Sequence, residues 1–421
     1  MIDSIILADD LTGACDTGIK LKKLGYRTKV IVDIETYNNF STCDGLALSI
    51  NTNTRSNHPQ TAYFMTSQSI KKLKDIEVGV YYKKIDSVFR GNVGCEIEAC
   101  LDILPLKFAL IAPALPGNGR RIINGRLIVQ NSEGPIWMVD VADTIGKTTN
   151  RKVAVITIEE IRKGAEILVE RISSLVSDGY ELILLDTIDD NDFIPITEAA
   201  KHFSGNCLYV GSAGWIPHLF PEKPAREEPA NEWRSAAVTN HVLVVVGTRH
   251  PVTVAQMMKL RDNPMFSVYL LPTDNIDTDV YESCVKKVTD QFDAELDQLN
   301  VKQGIIITTD AVYQGNALEE TCTSNVANKT IVTALAHIVE HITQKIAVDA
   351  IIMSGGDVSG GIMKQMRLDS IDLLEEPFEG IATGVAEKEN KDPLLIITKS
   401  GGFGSENTLE QLYNYICNTR F

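Results

Sequence analysis

The chain reads as an α/β protein of two domains, each a wound, mostly parallel sheet flanked by helices, with an active site expected in the inter-domain cleft. Three observations predict this. Short apolar runs alternate with amphipathic stretches at the spacing of strand–helix–strand units. A single proline-rich, charged stretch interrupts that alternation near the middle of the chain. Most of the apolar runs end in polar or glycine-rich turns, at the sheet edge where open α/β folds collect ligands.

In the first half, Ile5–Leu7, Thr28–Val32, Gly45–Ile50, Val78–Tyr82, Phe108–Ala112, Val153–Ile156, Leu182–Leu185 and Cys207–Val210 read as strands. Each is a short continuous run, the pattern of a strand covered on both faces. Between them Asp16–Leu24, Gln60–Lys74, Gly94–Leu104, Ile158–Ser177 and Ile194–Phe203 carry helical periodicity. The stretch from Pro217 to Asn240 then brings four prolines and six charges of mixed sign before Trp233, with no apolar face, and reads as a linker. Beyond it the pattern restarts with strands at Val242–Val246, Phe266–Leu271, Gly304–Thr308, Ala350–Met353 and Leu394–Ile397. Helices are expected near Pro251–Arg261, Thr278–Leu299, Thr330–Ile346, Ser359–Met366 and Asn407–Ile416. The predicted boundaries are 1–220 for the first domain, 221–240 for the linker and 241–421 for the second domain.

Composition narrows the classes of partner. At 421 residues the chain exceeds one comfortable core, and 44% hydrophobic with 23% charged residues is ordinary for a globular protein. A formal net charge of -16 supplies no basic excess to meet a nucleic-acid backbone. No apolar run approaches the ~20 residues of a membrane helix, and no secretory signal opens the chain. The eight cysteines are scattered without metal-finger spacing, so reduced thiols and a cytoplasmic location are expected. Composition leaves a homo-oligomer open.

The densest chemistry lies at the start, where the first strand runs into Ala8-Asp9-Asp10-Leu11-Thr12-Gly13-Ala14-Cys15-Asp16-Thr17-Gly18. One acidic residue suffices to cap a helix, whereas Asp9, Asp10 and Asp16 together repel one another unless cations or hydroxyls neutralise them. A second turn, Lys83-Lys84-Ile85-Asp86-Ser87-Val88-Phe89-Arg90-Gly91-Asn92, alternates cations with oxygen acceptors. That inventory suits a compact polyol acid, with cations for the carboxylate and acceptors for hydroxyl protons. Arg55, in the turn after the Gly45–Ile50 strand, is placed to reach the same cleft. The loop Pro113–Gly125 lacks dinucleotide glycine spacing and reads as a further pocket wall or a domain-contact loop.

Three glycine turns follow strands in the second half: Gly247-Thr248-Arg249-His250-Pro251, Ser354-Gly355-Gly356-Asp357-Val358-Ser359-Gly360-Gly361 and Lys399-Ser400-Gly401-Gly402-Phe403-Gly404. Backbone amides at a helix start bind anions without special side chains. Gly355 and Gly356 let a phosphate approach, Asp357 can cap the helix or hold magnesium, and Lys399 offers a mobile point charge. No P-loop is present.

Six ordered blocks carry a resemblance over nearly the whole length. They are ADDLTGACDTG at the start, KKIDSVFRGNVGCEIEA from Lys83, PALPGNGR from Pro113, VGSAGW from Val210, SGGDVSGG from Ser354 and KSGGFG from Lys399. In these the chain resembles the four-carbon acid sugar kinases, which include D-threonate, D-erythronate and 3-oxo-tetronate 4-kinases. The resemblance implies an ATP-dependent enzyme with an N-terminal sugar-acid domain and a C-terminal nucleotide domain. It implies substrate contacts at Asp10, Arg55 and Lys83-Lys84-Ile85-Asp86, and nucleotide contacts at Thr248, Ser354–Asp357 and Gly401. The family more often has serine where Thr248 stands. It also commonly continues after Gly125 into a threonine- and acid-rich segment, where this chain has Pro135-Ile136-Trp137-Met138-Val139-Asp140.

The expected reaction is in-line transfer of the ATP γ-phosphoryl to the terminal hydroxyl of a short sugar acid, with Mg2+ bridging phosphate oxygens. Arg55, Lys84 and Arg90 are expected to hold the carboxylate, with Asp16 and Asp86 among the substrate contacts. Asp10 or Asp9 is expected to accept the hydroxyl proton, with Asp86 a competitor. Lys399, Gly401 and Gly402 complete the expected nucleotide site, and Asp357 is the expected metal ligand. Two rival readings predict other outcomes: a metal-dependent lyase or dehydratase of a sugar acid, and a non-catalytic sensor of a sugar acid and a nucleotide.

Overall fold

The fold is described from a computed structural model, which describes residues 2–37, 40, 45–130, 137–224, 240–273, 276, 280–299, 304–317, 325–386 and 393–418. The chain divides into two compact units, Met1–Pro224 and Ala225–Phe421.

In the N-terminal unit the strands are β1 (Ile2–Ala8), β2 (Arg27–Ile31), β3 (Leu46–Asn51), β4 (Val78–Lys84), β5 (Phe108–Ala112), β6 (Arg120–Ile123), β7 (Arg126–Val129), β8 (Trp137–Asp140), β9 (Val153–Ile156), β10 (Leu182–Leu185) and β11 (Cys207–Gly211). Eight of them form a parallel sheet in the order β2-β3-β1-β4-β11-β5-β10-β9. The chain leaves β1 for β2 on one side and leaves β4 for β5 on the other, so β1 and β4 flank a topological switch point. Ligands of open α/β sheets bind outside the carboxyl ends of the strands at such points. The core follows from the apolar runs: Ile5, Leu7, Ile50, Leu110, Ile111 and Leu184 are buried, and the covering helices add Leu21, Ile97 and Leu168.

Three features depart from the sequence expectations. The first helix spans Leu11–Lys23, so it begins inside the acidic motif, and Asp16 falls within it rather than at the sheet edge. The expected helix Ile158–Ser177 divides into Ile158–Ile161 and Ala165–Ser177, because Gly164 between them takes a left-handed φ of 108°. The Pro113–Gly125 loop opens a three-stranded antiparallel sheet, β6-β7-β8, rather than a simple pocket wall. Asn124-Gly125 makes its hairpin turn with both residues at positive φ. The buried Asp186 carboxylate accepts both of their backbone N–H groups at 2.6 and 2.9 Å and so pins the hairpin to the main sheet.

Of the expected linker, 225–239 lie outside the described residues, as do Pro135 and Ile136 of the segment after Gly125 and Thr278 of an expected helix. Residues 221–224 belong to the N-terminal unit. Tyr26 donates its hydroxyl to the Pro221 carbonyl, the Lys223 amide donates to the Leu24 carbonyl at 2.7 Å, and Lys223 pairs with Asp3 at 2.6 Å.

The C-terminal unit contains β12 (His241–Val246), β13 (Phe266–Leu271), β14 (Gly304–Thr309), β15 (Val348–Ser354), β16 (Ser370–Leu373), β17 (Ile381–Ala386) and β18 (Leu394–Lys399). Their order is β13-β14-β12-β15-β18-β17-β16; β17 runs antiparallel to both of its neighbours, β18 and β16, and the other pairs are parallel. Here the switch point lies between β12 and β15. The helices Pro251–Leu260 and Gly356–Gln365 start directly from the turns after those two strands.

Candidate functional sites in the two units

Strand register assembles the N-terminal site. Ala8 at the end of β1 pairs with Asn51 of β3 on one side and Lys84 of β4 on the other. The residues that follow these three positions, Asp9-Asp10, Thr52–Arg55 and Ile85–Arg90, therefore emerge side by side. The 52–55 loop is zipped onto β1: the Thr54 and Arg55 amides donate to the Asp9 carbonyl, and the Thr52 amide donates to that of Ala8. Asn92 holds the same loop from the other flank, donating its side-chain amide to the carbonyls of Thr54 at 3.0 Å and Asn57 at 2.9 Å. Phe89, at a φ of 61°, and Gly91, at 91°, bend the third loop inward. A side chain at Gly91 would start 3.2 Å from Asp9 Oδ2 and 3.3 Å from Arg55 Cγ, which explains the glycine there.

Arg55 is the hub. Its Nε and Nη2 donate to Asp9 at 2.7 and 2.8 Å, its Nη1 donates to Asp10 Oδ2 at 2.5 Å, and Asp86 lies 3.7 Å away. Three of its five N–H donors are thus already on carboxylates. Asp10 caps the first helix, accepting from the Gly13 amide at 2.8 Å and the Thr12 hydroxyl at 2.8 Å. Asp86 accepts a guanidinium fork from Arg90 at 2.8 and 2.9 Å, plus the Val88 and Arg90 amides.

Electrostatics follow from this packing. Burial would raise the Asp9 carboxyl, but Arg55 outweighs it and holds the group below the usual carboxylate range. Burial likewise opposes the Asp86 charge, and Arg90 with Arg55 drives that carboxyl far below its ordinary value. Arg55, surrounded by three acids, is held more firmly protonated still despite its burial.

The two lysines separate, because neighbours on a strand face opposite sides of the sheet. Lys83 is fully buried and pairs at 2.7 Å with Glu96, itself buried on the helix Val93–Ile103. It also donates to the carbonyls of Leu7 and Lys84, so its charge is committed inside the core. Burial opposes that charge, yet Glu96 more than restores it. Lys84 is buried too, but among the described residues no carboxylate lies within ion-pair distance of it, and its Nζ donates only to the Ile85 carbonyl at 2.9 Å. A Cβ on Gly13 would stand 2.6 Å from Asp10 Oδ1 and 3.2 Å from Lys84 Nζ. An acidic oxygen and a lysine ammonium therefore border the same point above a glycine, at the start of a helix. Ile85 contributes only backbone, its amide bonded to the Gly211 carbonyl. Asp16 sits half-buried along the helix, away from the end that carries Asp9 and Asp10.

The C-terminal unit gathers its glycine turns in the same way. Val246 of β12 pairs with Ser354 of β15, which pairs with Lys399 of β18. A Cβ on Gly355 would lie 3.4 Å from Thr248 Cβ, and one on Gly401 would lie 3.0 Å from Thr248 Oγ1 and from His250 Cβ. Thr248, Gly355, Gly356, Gly401 and Gly402 are partly exposed, whereas Ser354 and Lys399 lie buried beneath them. Asp357 is exposed on the first turn of the helix Gly356–Gln365. The lysine is not mobile: Lys399 Nζ donates to Thr253 Oγ1 at 2.9 Å and to the Ser400 carbonyl at 3.0 Å. Sequence reasoning passed over Thr253 and Gln256. Thr253 also donates to the Gly401 carbonyl, and Gln256 donates to the carbonyls of Phe403 and Ser405. Their place on the helix launched by Pro251 is the signal that could have found them.

Residues 4–219 match the family model for a sugar-binding N-terminal domain, and residues 243–409 match that for a nucleotide-binding C-terminal domain. Among curated proteins the chain is 25% identical to the D-threonate kinase of Salmonella typhimurium strain LT2, over 98% of each chain. It is 23% identical to the D-erythronate kinase of Heliobacterium modesticaldum, over 99% of this chain and 97% of that one. It is also 23% identical to the 3-oxo-tetronate kinase of Haemophilus influenzae, over 96% and 98%. Among solved structures, one from Salmonella typhimurium LT2 has the same fold at a TM-score of 0.72 and 21% identity, covering 100% of both chains. A Haemophilus influenzae protein does so at 0.65 and 22%, covering 99% of this chain and 100% of that one. These matches define a phosphotransferase that carries a sugar-binding domain ahead of a nucleotide-binding domain. The chain belongs to the four-carbon acid sugar kinase family.

Among the described residues, no helix is long and apolar enough to cross a membrane. Among the described residues, Cys95, Cys100, Cys207 and Cys284 are free thiols.

Proposed function

We propose that the protein is a cytoplasmic, ATP-dependent kinase that phosphorylates the terminal hydroxyl of a four-carbon sugar acid. The observation that carries this reading is the juxtaposition of Asp10 Oδ1 and Lys84 Nζ above Gly13, at the switch point of the sugar-binding unit. Lys84 receives the substrate carboxylate, because it is a buried cation whose ammonium, among the described residues, hydrogen-bonds only the neutral Ile85 carbonyl. Arg90, whose side chain is partly exposed, adds positive charge at the rim. Asp10 accepts the proton of the attacking hydroxyl as its oxygen bonds to the γ-phosphorus and ADP departs. Arg55 fixes the orientation of Asp9 and Asp10 and has two remaining N–H donors for substrate oxygens.

In the nucleotide unit, the partly exposed turns at Thr248, Gly355-Gly356 and Gly401-Gly402 present backbone amides and a hydroxyl to the polyphosphate. Among the described residues no group of three or more His, Cys, Asp or Glu side chains forms a metal cage. The donor set fits the mode in which magnesium takes one or two carboxylates and completes its shell with phosphate oxygens and water. Asp357 is the residue that would hold it. When bound, the ion neutralises charge on the phosphates.

The test uses purified protein with ATP, magnesium and a panel of four-carbon acids, following ADP release. ADP formed only with a sugar acid supports the kinase. Turnover of the acid without ATP supports a lyase, and binding without turnover a sensor.

Two substitutions probe the two ligands separately. Lys84→Met should raise the Michaelis constant for the acid by ~10- to 10²-fold, the scale of one charge-assisted hydrogen bond, and narrow its preference over the neutral tetritol. The melting temperature should fall modestly, since Lys84 also offsets charge on the buried Asp9 and Asp86 carboxylates. An unchanged Michaelis constant would take the carboxylate away from Lys84. Gly401→Val should weaken nucleotide binding at least ~10-fold while sparing sugar-acid binding, because the new side chain drives into Thr248 and His250. Calorimetry on the folded variant decides between these outcomes.

A further inference from the structure

We propose that Lys399 is the positioning residue of the nucleotide site and that it takes up a proton when the nucleotide's phosphates dock on the turns it joins; this rests on the nucleotide-binding reading above. The geometry is specific. The Nζ of Lys399 donates to Thr253 Oγ1 at 2.9 Å and to the Ser400 carbonyl at 3.0 Å, and lies 3.5 Å from Ser354 Oγ. Thr253 stands on the helix that follows the Thr248 turn, Ser354 opens the Gly355-Gly356 turn, and Ser400 opens the Gly401-Gly402 turn. One ammonium thus ties all three glycine turns together. The backbone adds a fourth link, since the Gly355 amide donates to the Lys399 carbonyl at 3.0 Å.

Every one of these acceptors is neutral. The groups around Lys399 are Thr253 and the N-cap His250 of the helix Pro251–Leu260, Ser354 of β15, and Ile381, its register partner on β17. The helix Gly356–Gln365 adds Asp357, which is exposed. Only His250 and Asp357 among these can carry charge, and neither pairs with the lysine. The His250 Nδ1 accepts the Val252 amide at 3.2 Å, so that nitrogen is turned to its own helix. Burial alone, with no opposing charge, brings the lysine down to about 7. Lys83 is the internal contrast. It is equally buried, but Glu96 keeps it protonated.

A lysine in this state has its charge completed from outside. The partly exposed turns directly above it are those assigned to the phosphates, whose negative charge favours the ammonium across a short, poorly screened distance. Binding and protonation are then linked: the phosphates bind better when Lys399 is charged, and Lys399 draws its proton from solvent when they bind.

The experiment is calorimetry of MgADP binding to the full chain at pH 8, in two buffers of different ionisation enthalpy, for the wild type, Lys399→Met and Lys399→Arg. The wild type should take up most of one proton, and both variants close to none. The methionine lacks the group, and arginine is charged already. From pH 7 to 8 the wild-type affinity should fall roughly 5-fold relative to Lys399→Met, a comparison in which the titration of ADP itself cancels. Lys399→Arg, if it folds, should bind with a flat pH dependence. Equal proton counts in wild type and Lys399→Met would overturn the proposal and leave the nucleotide-binding reading standing. A wild type that does not bind MgADP would fail both. Should neither variant fold, the wild-type count decides, because uptake near zero at pH 8 excludes the coupling.

Discussion

Arg55→Ala is expected to destabilise the N-terminal unit by about 3–5 kcal/mol near neutral pH, the scale for removing one partner from a buried ion-pair cluster. Arg55 binds Asp9 through two nitrogens and Asp10 through a third, with Asp86 3.7 Å away, so its loss removes the guanidinium from Asp9 and Asp10, while Asp86 keeps the Arg90 fork. The pH dependence gives the prediction its sign. Asp9 and Asp86 are held below the ordinary carboxylate value in the folded wild type. Their contribution to stability is therefore complete above the unfolded value near 3.8 and is lost as pH falls through the lowered folded values. In the variant Asp9 loses its main neutralising partner and Asp86 its second after Arg90, and protonation relieves them. The gap between wild type and variant should be widest above pH ~4 and should close toward acid. Denaturant melts at a series of pH values measure it. Lysine at this position should recover part of the loss, because it supplies charge without the fork that grips Asp9. A gap that is small, or independent of pH, would show Arg55 to be a rim residue with no part in holding the acids.

The sequence made the strands and the motif-bearing turns legible, since each core strand is a short apolar run ending at a polar or glycine turn. Phe108–Ala112, Val153–Ile156 and Leu182–Leu185 are strands at the expected bounds. The start of the first helix was harder to read. Leu11-Thr12-Gly13-Ala14-Cys15 lacks the apolar periodicity that announces a helix, and only the Asp10 cap marks its beginning. The hairpin at Asn124-Gly125 carried its own turn signal, masked by the glycines before it. β16 and β17 escaped notice because their pairing is non-local: Asp372 opposite Val385 is a tertiary fact that neither short segment declares. Within the site, Lys83 and Lys84 look interchangeable as neighbours in sequence. Strand alternation alone separates them, and the Glu96 partner of Lys83 is visible only after the helix Val93–Ile103 is laid on the sheet. Lys399 presents the same limit, because a lysine beside two glycines reads as a mobile charge until the fold shows it enclosed.

Asp10→Asn is expected to lower turnover by ~10²- to 10⁴-fold, the range for removing a general base, with a small change in the Michaelis constant for the acid. The substitution preserves shape, and the amide oxygen can still accept the Gly13 N–H that caps the helix. Its NH2 group then faces Arg55 Nη1, a donor against a donor, where the carboxylate accepted at 2.5 Å. The melting temperature should fall modestly while nucleotide binding, whose residues lie in the other unit, is unaffected. Asp9→Asn provides the comparison that assigns the role. Both Asp9 oxygens are engaged by the Arg55 fork, so that variant should lose stability and sugar-acid affinity more than turnover. Single-turnover measurement of phosphoryl transfer separates the two, since it reads the chemical step apart from binding and release. The assignment to Asp10 requires the larger loss in that step to fall on Asp10→Asn. If it falls on Asp9→Asn, the proton goes to Asp9 and Asp10 is a helix cap that steadies Arg55. If both variants transfer phosphate at the wild-type rate, neither carboxylate takes the proton, and Asp86 becomes the base to test.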